Sequence, residues 1–184
     1  MTIRHAVSSD AARIANLHAR SWQTAYRGIL REDFLQGPVI ANRLQLWRER
    51  LCDNPSESQF TFVSEHDGEI QGFACAFLDA DPQWGTLLDN LHVEPGQKGR
   101  GLGVQLMAVV AQTILGQGPV VREGLSSALH LWVYEQNFQA RRFYERLGGS
   151  PTDSIAELAP DGGRVNAVRY AWRQLERLAQ CGDG

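Results

Sequence analysis

TLLDNLHVEPGQKGRGLGVQLMAVVAQTIL, residues 86–115, runs a strand, a turn, a glycine-rich loop and a helix together. The first eight residues, TLLDNLHV, are mostly apolar and read as a strand, which Pro95 ends. From about residue 101 to 116, Leu102, Leu106, Val109 or Val110, and Thr113 keep helical spacing and predict one apolar face. Between them stands Lys98-Gly99-Arg100-Gly101-Leu102-Gly103. Glycines lose much backbone freedom on folding. Three at alternate positions therefore need a reason, and close approach of a ligand to bare backbone N–H groups supplies one. Those groups lie where a helix begins and its dipole points its positive end outward, which suits a phosphate or pyrophosphate. Lys98 and Arg100 add charge. On the loop alone, a flexible strand-to-helix turn with a basic rim remains the alternative. Two common nucleotide motifs are excluded: position 104 is Val, so GxGxxG fails, and no Gly-Lys-Ser/Thr follows for a P-loop.

Outward from this segment, helices and strands alternate around hairpins. Residues 2–7 read as a first strand, and Ser8-Ser9-Asp10 offers helix N-cap chemistry before ARIANLHARSWQTAY. Gly28 ends that helix, and a second helical region over about 31–51 is split by Gly37-Pro38. Two β-rich runs flank His66-Asp67-Gly68-Glu69, where Asp-Gly suits a tight type I′ turn. Leu125–Tyr134 reads as a strand, and Gln136–Leu147 as a helix closed by Gly148-Gly149. Two further strands, near 150–157 and 164–173, flank the turn Pro160-Asp161-Gly162-Gly163. The expectation is one mixed α/β domain over residues 1–178, with 179–184 a disordered tail.

At 184 residues, 43% hydrophobic and 21% charged, the chain has an ordinary globular composition with a mean hydropathy of −0.31. A net charge of −3 argues against a nucleic-acid partner, which a basic stripe would mark. Cys52, Cys75 and Cys181 are scattered, so neither a disulfide framework nor a metal site is expected, and reduced thiols are. MTIRHAVSSD lacks the apolar core of a signal peptide, and LMAVVAQTIL is too short to span a bilayer. A cytoplasmic protein with no membrane partner is expected.

Leu91-His92-Val93-Glu94-Pro95, followed by Lys98 to Gly103, resembles the main motif of the GNAT superfamily of acetyl-CoA-dependent N-acetyltransferases. That motif is Arg/Gln-x-x-Gly-x-Gly/Ala after a strand ending in Leu-x-Val-x-Pro, so Lys98 departs from it while keeping a donor. A second block is similar to the family's V-x-x-x-N-x-x-A-x-x-F-Y-x-x-x-G: Val133, Asn137, Ala140, Phe143-Tyr144 and Gly148. Trp22, Tyr26 and Gly28, a WxxxYxG arrangement, look like the first helices of many bacterial members. The resemblance covers nearly the whole chain.

It implies the acyl-CoA N-acyltransferase fold: a mixed, mostly antiparallel sheet of six to seven strands, splayed between two central strands and flanked by about four helices. It implies acetyl-CoA as co-substrate and no metal. The pantetheine arm would bond main chain around Leu91 and Val93, and the pyrophosphate would rest on Lys98, Gly99, Arg100, Gly101, Leu102 and Gly103. A backbone N–H at a strand bulge around His92 would polarise the thioester carbonyl. Asn137, Ala140, Phe143 and Tyr144 complete the implied cofactor set, with Tyr144 the proton donor to the departing thiolate. The glutamate several members carry four residues before Leu91 is Leu87 here. Asp89 is the preferred base, His92 and His130 are other candidates, and release of the proton to a water chain stays open. Trp22, Tyr26, Asp89 and His130 would face the acceptor, with Arg164 and Asn166 beside the late turn. The expected reaction is acetyl transfer to a primary amine, the acceptor a small molecule. A protein N-terminus or lysine, and a non-catalytic acyl-CoA-binding module, are the alternatives. Family habit allows a homodimer.

Overall fold

Asp67 and Gly68 both take positive φ, 49° and 77°, and His66 pairs with Glu69 across them. This is the I′ geometry whose twist matches that of antiparallel strands, as the Asp-Gly pair predicts. The computed structural model describes residues 1–117 and 128–182. The chain runs through β1 (Thr2–His5), α1 (Ala11–Ala25), α2 (Glu32–Gln36), α3 (Val39–Arg48), β2 (Gln59–His66), β3 (Glu69–Asp81) and β4 (Gly85–Val93). It continues through α4 (Leu102–Gly116), β5 (Leu129–Tyr134), α5 (Phe138–Arg146), β6 (Ser150–Leu158), β7 (Arg164–Trp172) and α6 (Leu175–Gln180).

The seven strands form one sheet in the order β1-β2-β3-β4-β5-β7-β6. Every neighbouring pair is antiparallel except β4 and β5, which run parallel and pair only at Thr86↔Leu129 and Leu87↔His130. Beyond Leu87 the two central strands part. Mixed α/β class, strand number and splay all match the expectation.

Helices cover both faces. On one, α1 and α3 bury Ile14, Leu17, Trp47 and Phe73. Trp22, Phe34, Leu35 and Val39 continue that layer below α2. On the other, α4, α5 and α6 bury Leu106, Met107, Val110, Tyr144 and Leu178 against Leu131 and Tyr170. Each such side chain contributes about 1.5–3 kcal/mol through burial, which overrides the weak propensity of the shorter helices.

Local differences from the sequence reading have simple causes. Ser8–Asp10 forms a 3-10 turn, and Asp10 makes no side-chain cap. Its carboxylate accepts instead from Val7 N–H at 3.0 Å, a capping-box bond at the start of the 3-10 turn, and from Arg4 Nη1 at 2.7 Å, so it closes that turn and not α1. α3 runs on into a π turn, Glu49–Asp53. β5 is described from Leu129, and residues 125–127 of the expected strand lie outside the described residues. The described α-helices number six: the split at Gly37-Pro38 yields α2 and α3 as expected, and α6 is a short piece that periodicity does not register. The boundary expected at residue 178 falls inside α6, because Leu178 and Ala179 are buried, with Leu178 in the α4 core. Among the described residues no helix is long and apolar enough to cross a membrane.

Candidate active site

The parting of β4 from β5 opens a cavity of about 550 Å³ between Leu88–Val93 and Leu131–Val133. A bulge sharpens the parting. Cys75 pairs with Asn90 and Ala76 with Leu88, which leaves Asp89 as the extra residue on β4. Bulges bend their strand and re-aim side chains. The expected bulge around His92 therefore lies three residues earlier, at Asp89.

At one end the cavity meets the glycine loop. Gly99 and Gly101 have φ of 82° and 80°, values that L side chains rarely adopt, and nothing lies within 4 Å of where either Cβ would stand. Gly101 is the N-cap of α4, whose first intrahelical bond is Gln105 N–H to Gly101 O at 3.0 Å. The N–H groups of the first turn have no intrahelical partner, so the loop presents donors to open space, as a pyrophosphate requires. Gly103 serves differently: its Cβ would stand 3.1 Å from the Phe143 ring, so it lets α5 approach α4. Lys98, Gly99, Gly101, Leu102 and Gly103 line the cavity, whereas Arg100 does not. Gln97, Gln139 and Arg146, which sequence reading missed, do. Gln139, Phe143 and Arg146 repeat at helical spacing along α5, the one signal that could have found the last of these.

Leu91, His92, Val93, Asn137, Ala140, Phe143 and Tyr144 all line the cavity. Asn137 is also the N-cap of α5, its Oδ1 accepting from Ala140 N–H at 3.2 Å. Gly149 and Gly148 N–H close that helix on Tyr144 O and Glu145 O at 2.9 and 3.0 Å. That double bond fixes the last turn, where Tyr144 sits. The Tyr170 hydroxyl is committed to Glu145 Oε1 at 2.6 Å, while Tyr144 faces the cavity. Burial raises Tyr144 well above a phenol's ordinary value, which keeps it protonated and able to donate.

The acceptor end is built on the opposite side of β4. Ser21, Ala25 and Tyr26 of α1 line it together with Asp89 and His92. Asp89 Oδ2 is 2.7 Å from Arg50 Nη1, a residue of the π turn, and 2.6 Å from Asn90 Nδ2. His92 Nδ1 is 2.9 Å from Ser21 Oγ. Desolvation, then the charges of Arg43 and Lys98, pull His92 down to about 3, so it is neutral at physiological pH. Tyr26, half-buried beside Tyr134, is raised beyond the phenol range, first by desolvation.

Four expected acceptor residues lie elsewhere. Trp22 is core, with the Arg43 guanidinium 4.1 Å from its ring centroid. His130 is buried with Nδ1 3.2 Å from Trp84 O, where the short parallel pairing to Leu87 holds it away from the cavity lining. Asn166 Nδ2 donates to Glu135 Oε2 at 3.2 Å, and Arg164 is exposed at the start of β7; neither lines the cavity. Among the described residues, no group of three or more His, Cys, Asp or Glu could hold a metal ion.

This cleft, with its loop at a helix start, has close counterparts. The family model of the acetyltransferase (GNAT) family matches residues 14–149. The chain belongs to that family. An uncharacterized N-acetyltransferase of Bacillus subtilis, YuaI, is 27% identical over 97% of this chain and 96% of its own. A GCN5-related N-acetyltransferase from Rhodopseudomonas palustris superposes with a TM-score of 0.71 at 18% identity, covering 94% of this chain and 95% of that one. The PaiA N-acetyltransferase of Thermoplasma acidophilum, solved in complex with coenzyme A, gives 0.65 at 17% identity, over 94% and 100% of the two chains. The GNAT fold thus extends over 94% of the chain.

Proposed function

We propose that this GNAT protein transfers an acetyl group from acetyl-CoA to the amine of a small molecule, by direct attack with both substrates bound. The observation that carries the reading is the cleft itself. β4 and β5 part beyond one short parallel pairing, the opening meets the bare N–H groups at the start of α4, and Tyr144 faces it. Coenzyme A bound to the PaiA relative supports the same occupant here. Lys98 and Arg146 supply charge for its phosphates at the α4 end, and the unpaired edge of β4 supplies main chain for its pantetheine.

The amine nitrogen, having given one ammonium proton to Asp89, attacks the thioester carbon. As the C–S bond breaks, Tyr144 gives its proton to the leaving sulfur, and the second nitrogen proton, shed as the amide forms, returns Tyr144 to its phenol form through water. Asp89 is the one carboxylate in the described lining. It draws the ammonium in and takes up its proton, passing it to water at the exposed mouth. Arg50 holds Asp89 in place with Nη1 2.7 Å from Oδ2, so that carboxylate oxygen is already engaged. That ion pair also favours a second reading, a non-catalytic acyl-CoA-binding module. The test begins with thermal-shift titrations of acetyl-CoA, coenzyme A, ATP and NAD, since a ligand of the folded state raises stability in proportion to log concentration. Stabilisation by the two acyl carriers alone, with thiol release across an amine panel, supports the enzyme. Stabilisation without turnover of any amine supports the module, and no stabilisation by acetyl-CoA sinks both.

A further inference from the structure

Behind the acceptor end, two buried hydrogen-bond donors without an acceptor lie beside a buried guanidinium that has no counter-charge among the described residues. Trp47 Nε1 donates to His18 Nδ1 at 3.0 Å, so the proton of the neutral His18 ring is on Nε2. That atom has no partner among the described residues, and neither has the buried Trp22 Nε1. The two rings meet edge-on, 5.1 Å between centroids. Arg43, 8% exposed, stacks on Trp22 and bonds only the side chain of its neighbour Asn42. No described carboxylate comes within ion-pair distance of it; Asp89 is held by Arg50.

A buried guanidinium with no counter-charge is costly, and native proteins satisfy nearly all buried donors. A water molecule would accept from these groups but leave the charge uncompensated. An anion would supply both the acceptor and the counter-charge. The cluster is one side chain from the cavity: His18 stacks on His92 at 4.3 Å and Trp22 packs on Tyr26 at 5.1 Å, and both outer rings line the cavity.

Building on the acetyl-transfer reading, we infer that the acceptor is an amine that also carries a carboxylate. The carboxylate enters between Tyr26 and His92 and binds Arg43, with Trp22 Nε1–H and His18 Nε2–H as further donors. The ammonium then faces Asp89. Two fixed charges of opposite sign orient a zwitterion one way round, and they reject amines lacking the acid group because the donors then stay unpaired.

The experiment measures thiol release from acetyl-CoA with glycine, leucine, phenylalanine, glutamate, β-alanine and 4-aminobutyrate, each against its carboxamide. At least one acid has a kcat/KM about 10- to 100-fold above its amide, the range of a lost charged hydrogen bond. An α-carboxamide has the less basic amine and so more of the reactive form, which biases the comparison against the inference. Arg43→Gln abolishes the gap while acetyl-CoA still raises the melting temperature, and Arg43→Lys keeps part of it. Amides turned over as well as acids, or turnover confined to amines without a carboxylate, overturns the inference. No turnover of any amine despite acetyl-CoA binding refutes instead the enzyme reading beneath it. The wild-type comparison decides even where Arg43→Gln fails to fold.

Discussion

Replacing Tyr144 by Phe removes one oxygen and leaves a ring that packs against Phe143, Tyr170 and Trp172 at centroid distances of 5.4, 6.1 and 5.9 Å. Stability should therefore change by no more than about 0.5 kcal/mol, the range of substitutions that break no named interaction. In the proposed reading acetyl-CoA is held by main chain and by the α4 loop, so its affinity should hold. The rate should not. A positioned acid contributes about 10²–10⁴-fold, and the phenol is the group on α5 that faces the cleft while Tyr170 is bound to Glu145. Burial raises Tyr144 above its ordinary value, so the acid form persists through alkaline pH. Wild-type kcat should show no fall through the ordinary phenol range near pH 10. The assay pairs thermal-shift titration of acetyl-CoA with steady-state thiol release for both proteins. A kcat within threefold of wild type, at unchanged cofactor affinity, would refute the assignment of Tyr144 as the acid.

Gly103→Ala places a methyl 3.1 Å from the Phe143 ring; overpacking should cost about 1–3 kcal/mol, read by urea denaturation, and weaken acetyl-CoA binding by moving α5. Gly101→Ala forces an L side chain to φ 80°, a strain of about 1–2 kcal/mol, and should lower acetyl-CoA affinity in the same titration. His18 and His92 both fold with lowered values, His92 near 3, desolvation being the main cause. Below pH 6.5 the unfolded chain takes up protons that the folded chain refuses. Stability should therefore be flat above about pH 7 and decline by up to about 1.4 kcal/mol per pH unit per histidine as pH falls toward 3. His92→Asn should remove its share; equal slopes for the two proteins between pH 4 and 6 would exclude that cause. Asp10→Ala should cost about 1–3 kcal/mol in chemical denaturation, since Arg4 and Val7 N–H lose their acceptor.

The cofactor half of the site was legible because its chemistry is local in sequence. Leu91 to Gly103 form one strand–loop–helix run, and Asn137 to Tyr144 form one helix start. Backbone conformation there is set by glycine and by capping, both of which have sequence signals. Arg100 shows the limit of that locality. It stands inside the motif yet is not part of the lining, while the residues on both sides of it are.

The acceptor half was not legible, for a reason that lies in the sheet. Side chains alternate along a strand, so a one-residue bulge moves all that follows to the other face. On a regular strand Leu87, Asp89 and Leu91 would share one face. With the bulge at Asp89, Asp89 and His92 turn instead toward α1 and α3, and Leu91 and Val93 toward the α4 core. No local signal in LLDNLHV announces the extra residue. The groups that then meet Asp89 and His92 come from Ser21, Arg43 and Arg50, whose closeness depends on how α1, α3 and the π turn pack. Trp22 illustrates the consequence. Its spacing from Tyr26 is right for one helix face, yet at the end of α1 the layer closes around Trp22 and leaves Tyr26 on the cavity. Specificity is thus assigned to contacts between elements far apart in sequence, while the shared chemistry stays with contiguous motifs. Substitutions at Arg43 should therefore change which amine is chosen and leave acetyl-CoA binding intact.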